Sequence, residues 1–543
     1  MKRHNIIKSA VLAVSIATAF SSPVTSFADE LFTVPRSAVY QAVQNKSLKD
    51  TLAQVSQRSG IVFKIDTELG KDVVRQSIAA ENWNAAVKSL LSDYNYTIVA
   101  EGKSIKTVIV TGHAGSGSSA SHVVASVEPA EYHDLIVIAP TMKPLSKAYK
   151  DFPAGSVMAV NIPVKAIMKL GKGKTATFDL PIGQFNVAHD STVNEADGSR
   201  TWVGHLADEG QGYRVFMSEG AGGTMGHITT PEGTFNLESK EGGMYLVDTS
   251  KLDHLGFAGD TGVALAATAL TNYNLAPKAY NDASLATVTP PPVATPKGSP
   301  VLDIMVLYTT QSYTAAYAKQ RLAYLVTASN QAYTDSGINL TLRMVYAEPT
   351  TYTDKDVNRT ALDNLANDRG IFAGTAAKRV QYGADLVFLF RPLNAMTQTT
   401  CGTTYLEMAD GQAADKWLGY GTISDGNSQD SMSNTYCAIN TFTHEIGHSL
   451  GLVHDRENSD VSGAYPYSYA WGVAGKFGTI MSYEMPVVMY FSAPALATQC
   501  SGQPCGYAET DTARSSDQVK TVNFTAPLIA NFMPTMMATP IIK

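Results

Sequence analysis

Several features are scarce in these 543 residues, and each scarcity excludes something. Cysteine occurs only as Cys401, Cys437, Cys500 and Cys505, all in the last third of the chain. Their spacing is not that of paired zinc knuckles. Basic residues do not dominate: 41 Lys and Arg against 48 Asp and Glu leave a net charge of −7 and a pI near 5.9. That balance argues against a nucleic-acid or anionic-membrane partner. Long apolar runs are lacking. The run from Ala10 to Phe20 is too short to cross a bilayer, and no later stretch reaches the ~20 residues required. Histidine is rare too, with 11 residues in all, so a cluster of histidines carries weight.

Such a cluster lies in Thr441-Phe-Thr-His-Glu-Ile-Gly-His-Ser-Leu-Gly-Leu-Val-His-Asp455. On a helix, His444 and His448 project from one face a turn apart and can share one metal ion. Glu445 lies beside them to hold an attacking water. Gly451 provides the helix stop, after which the chain can return His454 as a third ligand. Three protein nitrogens leave a position open for water, the catalytic rather than the structural zinc arrangement. By chance a bare His-Glu-x-x-His arises in roughly one such chain in a hundred, and adding the Gly and third His lowers this to on the order of 10⁻⁵.

Downstream, Gly478-Thr-Ile-Met-Ser-Tyr483 places Met481 in a tight turn. With the extended histidine motif, this chain resembles the metzincin zinc metalloproteases. Asp455 after the third His is similar to the reprolysin-like branch and, within it, to the bacterial peptidyl-Asp metalloendopeptidase group. The resemblance runs from about Pro300 to Phe532 and includes Ala384 to Phe390, Cys401-Gly402 and Tyr490 to Pro494. It implies one catalytic Zn²⁺ on His444, His448 and His454, with Glu445 as general base and Met481 supporting the site from below. Asp455 would be structural, bonding near the Met481 turn. In astacins and serralysins a tyrosine two residues after that methionine reaches zinc, whereas the reprolysin branch generally lacks it. For Tyr483, an oxyanion-side role and plain packing therefore both stand. The resemblance also implies cleavage on the amino side of an acidic residue, which requires a cation in the substrate pocket. Arg456 and Lys476 flank the histidine loop and the Met481 turn; solvated surface charges are the alternative for each.

Taken in order, residues 1–28 read as a secretory signal, with Lys2, Arg3 and Lys8 before the apolar run and Ser26-Phe-Ala28 as cleavage site; an uncleaved anchor is the alternative. The expected protein is exported, and in an oxidising compartment Cys401–Cys437 and Cys500–Cys505 form disulfides. Residues 29–110 form a small α/β module with a pattern similar to the N-terminal domains of secretins and outer-membrane receptors; a generic spacer domain is the alternative. Helices are expected from Ser47 and around Trp83 to Leu91, and a hairpin over Tyr96–Ala100 and Ile105–Val110. Residues 111–130 are a Gly/Ser linker.

Residues 131–288 are β-rich and resemble the propeptide region of the same proteases, with His205 and His227 as surface or packing residues. Residues 289–300 are a proline-rich linker. Residues 301–543 form the catalytic domain, an α/β upper subdomain with an irregular lower one, making the chain a multidomain α+β protein. Strands are expected at Val301–Tyr308, Leu340–Val345 and Ala384–Phe390, and the family resemblance makes Cys401–Tyr405 the edge strand above the cleft. Helices are expected at about Ser312–Asp335, Asp356–Asn367 and Asp511–Val522.

The absence of cysteine from residues 131–288 excludes a cysteine-switch latency. Phe257-Ala-Gly-Asp260 matches the motif by which astacin propeptides bring an aspartate to zinc, and it also reads as an ordinary turn. The expected partners are a protein or peptide substrate, the chain's own propeptide and a secretion apparatus. A rival reading is an envelope-associated binding or adhesion protein with a degenerate protease fold; the intact set of three histidines and Glu445 weighs against it.

Overall fold

A computed structural model describes residues 46–113, 134–254 and 299–543, apart from residues 60, 66–67, 75–82, 102–103, 142, 232, 312, 429–434 and 537–539. The signal-like start, most of both linkers and Phe257 to Asp260 lie outside the described residues. The chain divides into two compact units, residues 1–131 and 132–543.

In the first unit, α1 (Leu48–Ser59) starts where the Ser47 hydroxyl accepts the Asp50 N–H at 3.1 Å, an N-cap. Its stripe of Leu48, Leu52 and Val55 is buried with Leu90 of α2 (Trp83–Leu90). Val108 and Val110 complete that core from the sheet, in which β1 (Val62–Ile65) runs parallel to the second strand of the hairpin β2 (Tyr94–Glu101) and β3 (Ser104–His113).

The second unit opens with an antiparallel meander: β7 (Thr175–Leu180), β8 (Gly183–Asn194), β9 (Arg200–Leu206), β10 (Gly210–Gly220), β11 (Gly223–Thr230), β12 (Gly233–Lys240) and β13 (Gly243–Asp248). Closure comes from the run 134–140. Its first part, β4 (Asp134–Val137), pairs with β7; its second, β5 (Ala139–Pro140), pairs with β6 (Val157–Asn161), which in turn pairs with β13. One strand thus joins both ends of the sheet, making a barrel that leaves no long open edge. Phe178, Phe185, Trp202, Val215, Met217, Ile228 and Leu237 fill its interior.

The remainder is a mostly parallel sheet with helices. Its strand order is β14 (Asp253–His254), β20 (Thr435–Cys437), β19 (Tyr420–Asn427), β17 (Leu386–Pro392), β15 (Val301–Thr309), β16 (Thr341–Thr350), β21 (Ile541–Ile542). β18 (Gly402–Thr404) runs antiparallel to β19. The strand β15 is buried along almost its whole length, as parallel strands covered on both faces are. α3 (Ala315–Ser336), capped by the Thr314 hydroxyl and stopped at Gly337, packs against β16 and against the histidine-bearing helix. Both disulfides are present, Cys401–Cys437 and Cys500–Cys505. The first joins β18 and β20 where they follow one another along the same side of β19.

Two elements differ from the sequence expectation. The last helix is α7 (Gln518–Ile529) rather than a segment starting at Asp511. Asp511 instead closes a turn, accepting the Ser515 N–H at 2.7 Å, while Asp517 caps the helix by accepting the Lys520 N–H at 3.0 Å. Between α4 (Asn358–Ala366) and β17 lies α5 (Thr375–Tyr382), which the periodicity did not announce. Its two buried residues are Thr375 and Arg379, and the Arg379 guanidinium serves the carbonyls of Ala384, Asp385 and Lys416.

Candidate metal centre

The histidine motif forms α6 (Asn440–Ser449), every residue of which is buried. Gly451, at φ +83°, ends the helix: its N–H reaches His448 O at 3.0 Å and the Leu452 N–H reaches Gly447 O at 3.0 Å, a Schellman stop. The chain then turns so that Val453 bridges to Tyr469, with Val453 O accepting a hydrogen bond from the buried amide of Gln518 at 2.9 Å. That bridge fixes the backbone leading into His454.

The ring orientations follow from their partners. His444 Nδ1 lies 2.9 Å from Ile480 O and His448 Nδ1 lies 2.9 Å from Leu452 O. A carbonyl only accepts, so each Nδ1 carries the proton and each Nε2 offers a lone pair. One ring nitrogen from each of His444, His448 and His454 falls within 4.8 Å of the others, and all three residues are buried. His444 Nε2 and His454 Nε2 stand 3.1 Å apart. Two ~2.05 Å metal–nitrogen bonds at a tetrahedral angle would separate their nitrogens by about 3.3 Å. The donor set therefore fits a small divalent cation.

Glu445 is fully buried on the same helix. Its carboxylate accepts the Thr404 hydroxyl proton at 2.5 Å, and a Cβ on Gly402 would fall 2.1 Å from its Oε1. The edge strand β18 thus holds Glu445 with a threonine and makes room for it with a glycine. Neither role was read from the sequence, where Gly402 and Thr404 figured only as part of the edge strand. Beneath the helix, a Cβ on Gly447 would lie 2.5 Å from Met481 Sδ, which accounts for glycine between the two histidines. Just beyond β18, Glu407 donates its N–H to His448 O at 3.2 Å, and burial pushes its carboxyl up to about 8.

Asp455 Oδ2 accepts Ser482 Oγ–H at 3.1 Å and Tyr483 N–H at 3.0 Å, tying the third histidine's loop to the Met481 turn. The Tyr483 ring stands 4.3 Å from that of His454, centroid to centroid. Arg456 is engaged elsewhere: its guanidinium donates to Pro466 O at 3.0 Å and Ser515 O at 2.9 Å, and it lies 4.0 Å above the Tyr469 ring. Lys476 is exposed between two short strands at 472–473 and 477–478. The structure thus gathers His444, His448, His454, Glu445, Met481, Asp455 and Tyr483 around one centre.

Residues 301–511 match the family model for reprolysin-like metallopeptidases of family M12B. The chain carries a reprolysin-like metallopeptidase domain. Residues 144–253, which span most of the barrel, match the BamI lipocalin-like domain. Over 259 residues the chain is 34% identical to the peptidyl-Asp metalloendopeptidase of Pseudomonas aeruginosa, covering 43% of this chain and 40% of that protein. Over 222 residues it is 27% identical to the peptidyl-Asp metalloendopeptidase of Xanthomonas campestris, covering 39% and 48%. The chain spans about half the length of the curated relatives it matches. Metalloproteinase-II from Bacteroides fragilis aligns at 11% identity over 66% of this chain and 95% of that one, with a TM-score of 0.37, too low to carry an argument. In the reprolysin-like domain, the three histidines are the residues to hold the metal that the family implies.

Proposed function

We propose that the chain is an exported zinc endopeptidase made as a precursor, with His444, His448 and His454 holding the ion and Glu445 as general base. The supporting observation is the convergence of three buried imidazole nitrogens within 4.8 Å on the helix and loop that also present Glu445. A bound zinc would acidify a water and polarise the scissile carbonyl. With the ion in place, Glu445 would be the residue to accept a proton from the attacking water and return it to the leaving amine. The Thr404 hydroxyl holds the carboxylate in place. Ile480 O and Leu452 O keep His444 and His448 in one tautomer and one orientation. For Tyr483 the support for an oxyanion-side role is its nearness to His454, with plain packing the alternative.

Substrates are protein chains, and the names of the relatives support cleavage beside an aspartate. Arg456 keeps the reading of a pocket cation only if substrate draws it from Ser515 and Pro466; Lys476 is exposed. Export accords with the two disulfides and with the finding that, among the described residues, no helix is long and apolar enough to cross a membrane. Residues preceding the peptidase domain act as its propeptide. For latency through Asp260, the support is positional: His254, six residues earlier, pairs on the outer edge of β20, which the Cys401–Cys437 disulfide joins to β18 beside Glu445.

The deciding experiment is cleavage-site profiling by mass spectrometry on a proteome-derived peptide library, wild type beside Glu445→Gln. Zinc-dependent cuts lost in the variant and on chelation are expected, with acidic residues following the cut. Equal, chelator-insensitive profiles would leave the binding-protein reading; leucine or phenylalanine after the cut would remove the acidic preference.

A further inference from the structure

The barrel wall facing α3 is not a solvent surface. Val203 of β9, Phe216 of β10 and Met225 of β11 belong to the peptidase domain's own hydrophobic core, together with Leu322, Tyr324 and Leu325. Phe216 meets Tyr324 edge to face, with centroids 6.1 Å apart. Of the 22 residues of α3, 13 are buried, more than the single stripe of a surface helix. The contacts run along the helix from Tyr317 to Asp335, about 27 Å at 1.5 Å per residue.

Hydrogen bonds and an ion pair cross this junction. Gln320 donates to Ser218 Oγ at 3.1 Å and Gly223 O at 2.9 Å, and accepts the Gly222 N–H at 2.9 Å. Thr327 donates to Glu195 at 2.7 Å. A Cβ on Gly222 would fall 2.7 Å from Tyr317 Cα, so the turn is shaped to the helix backbone. At the far end Arg214 of the barrel, 1% exposed, forks onto Asp335 of α3, 2% exposed, with Nε–Oδ2 at 2.6 Å, and also onto Asp190. On a second flank Asn236 donates to the buried Tyr436 hydroxyl and Asn427 to Glu238 at 3.2 Å. The chain leaving the barrel after β13 joins the peptidase sheet directly, as β14 pairing with β20.

We propose that the barrel is a permanent subunit of the peptidase, which stays seated on α3 after the connecting chain is cut, rather than a pro-segment that departs. Departure would return to water an apolar face on both partners, and it would unmake a buried bidentate Arg–carboxylate pair together with the Gln320 network. The interface has the anatomy of a tight complex: an apolar centre, one desolvated arginine anchor and hydrogen bonds from Gln320, Thr327 and Asn236 around it. The inference rests on the precursor reading for its biological meaning, but its test reads association alone.

The test uses the full-length chain carrying Glu445→Gln, with a recognition sequence for a narrow-specificity endoprotease inserted in the proline-rich stretch 289–298. After the cut, size-exclusion chromatography at micromolar and at nanomolar concentration should give one species holding both fragments. The same should hold in high salt, because buried pairs are little screened. Separation into two peaks in physiological salt overturns the proposal. Placing Arg214→Met in the same nicked chain should raise the Kd by ~30-fold or more, the effect of truncating one member of a buried pair. An unchanged Kd removes Arg214 as the anchor. Because the nick is made by an added enzyme on a silenced variant, the result is independent of whether the chain hydrolyses peptides.

Discussion

The strand β15 of the peptidase sheet and the strands β9 to β11 of the barrel are all buried on both faces, for different reasons. β15 reads Val-Leu-Asp-Ile-Met-Val-Leu-Tyr-Thr, the near-continuous apolar run of a parallel strand covered by other layers on both sides. In β9 to β11, polar residues alternate with apolar ones as in a strand with a wet face, yet Arg214, Ser218, His227 and Thr229 are all buried. Polarity without exposure is what an interface between two separately folded layers produces. The barrel solves its own core with Trp202, Val215 and Met217, and the other side of the same strands, carrying Val203, Phe216 and Arg214, is fitted to α3. The first pattern belongs to a fold, the second to a contact between folds.

If that contrast is right, perturbing the metal centre and perturbing the interface should have separable consequences. The largest effect belongs to the centre. Alanine at His444, His448 or His454 should abolish both metal content, measured by elemental mass spectrometry, and activity. Glu445→Gln should keep the metal and lose at least ~10²-fold in kcat, with ~10⁴-fold within the range for a general base. None of the four should alter the association of barrel and peptidase. Near-normal turnover in Glu445→Gln would refute its assignment.

Arg214→Met reverses the pattern. It leaves Asp335 buried without its cation, so urea unfolding should show a loss of about 3–5 kcal/mol. The kcat per folded molecule should not change. A loss below ~1 kcal/mol, the range of surface pairs, would mean that the pair is hydrated in solution and that the contrast drawn above fails.

The interface should also be acid-sensitive through His227. Burial, reinforced by the Arg321 charge, pushes this imidazole down from 6.5 to about 4. It bonds Asn236 at 3.1 Å and Thr229 at 3.0 Å in the neutral form. The unfolded chain takes up a proton below 6.5 that the folded chain refuses, so stability is full above 6.5 and falls as the pH drops toward 4. The loss reaches about 3 kcal/mol at pH 4. Burial raises the carboxyls of Glu195 and Asp335 at the same interface, which works in the opposite direction. The measurement is therefore differential: stability against pH for the wild type minus that of His227→Gln. A flat difference between pH 6.5 and 4 would show His227 to be hydrated.

What could be read from the sequence divides along the same line. His444, Glu445, His448, Gly451 and His454 lie within eleven residues, and helix geometry plus a glycine stop is enough to converge them. The parallel strands announce themselves by continuous apolar runs. The barrel's closure could not be read, because it needs the stretch 134–140 to bond both β7 and β6, and β6 to bond β13 at the far end of the meander. The helix Thr375–Tyr382 was missed because its buried residues are a threonine and an arginine, the arginine serving backbone carbonyls, so no apolar stripe marks it. The partners of Glu445 were missed for the same reason of distance: Thr404 is 41 residues away in sequence.

The smallest predicted effect concerns that threonine, and it distinguishes positioning from packing within the metal centre. Thr404 is fully buried and gives its hydroxyl proton to Glu445 Oε2 at 2.5 Å. Valine has nearly the same shape without the hydroxyl. Thr404→Val therefore keeps the volume beside the carboxylate while freeing it to rotate away from the attacking water. A hydrogen bond to a charged group contributes about 1.5–3 kcal/mol, part of which Glu445 recovers from its surroundings. The expected loss is about tenfold in kcat, or ~1.4 kcal/mol, with KM and metal content unchanged, since neither the substrate cleft nor the imidazoles are touched. Thr404→Ser restores the hydroxyl without the methyl and should recover most of the rate. If serine is as slow as valine, the methyl group's packing matters and the hydrogen bond does not. If valine turns over like the wild type, Glu445 is held by its helix alone.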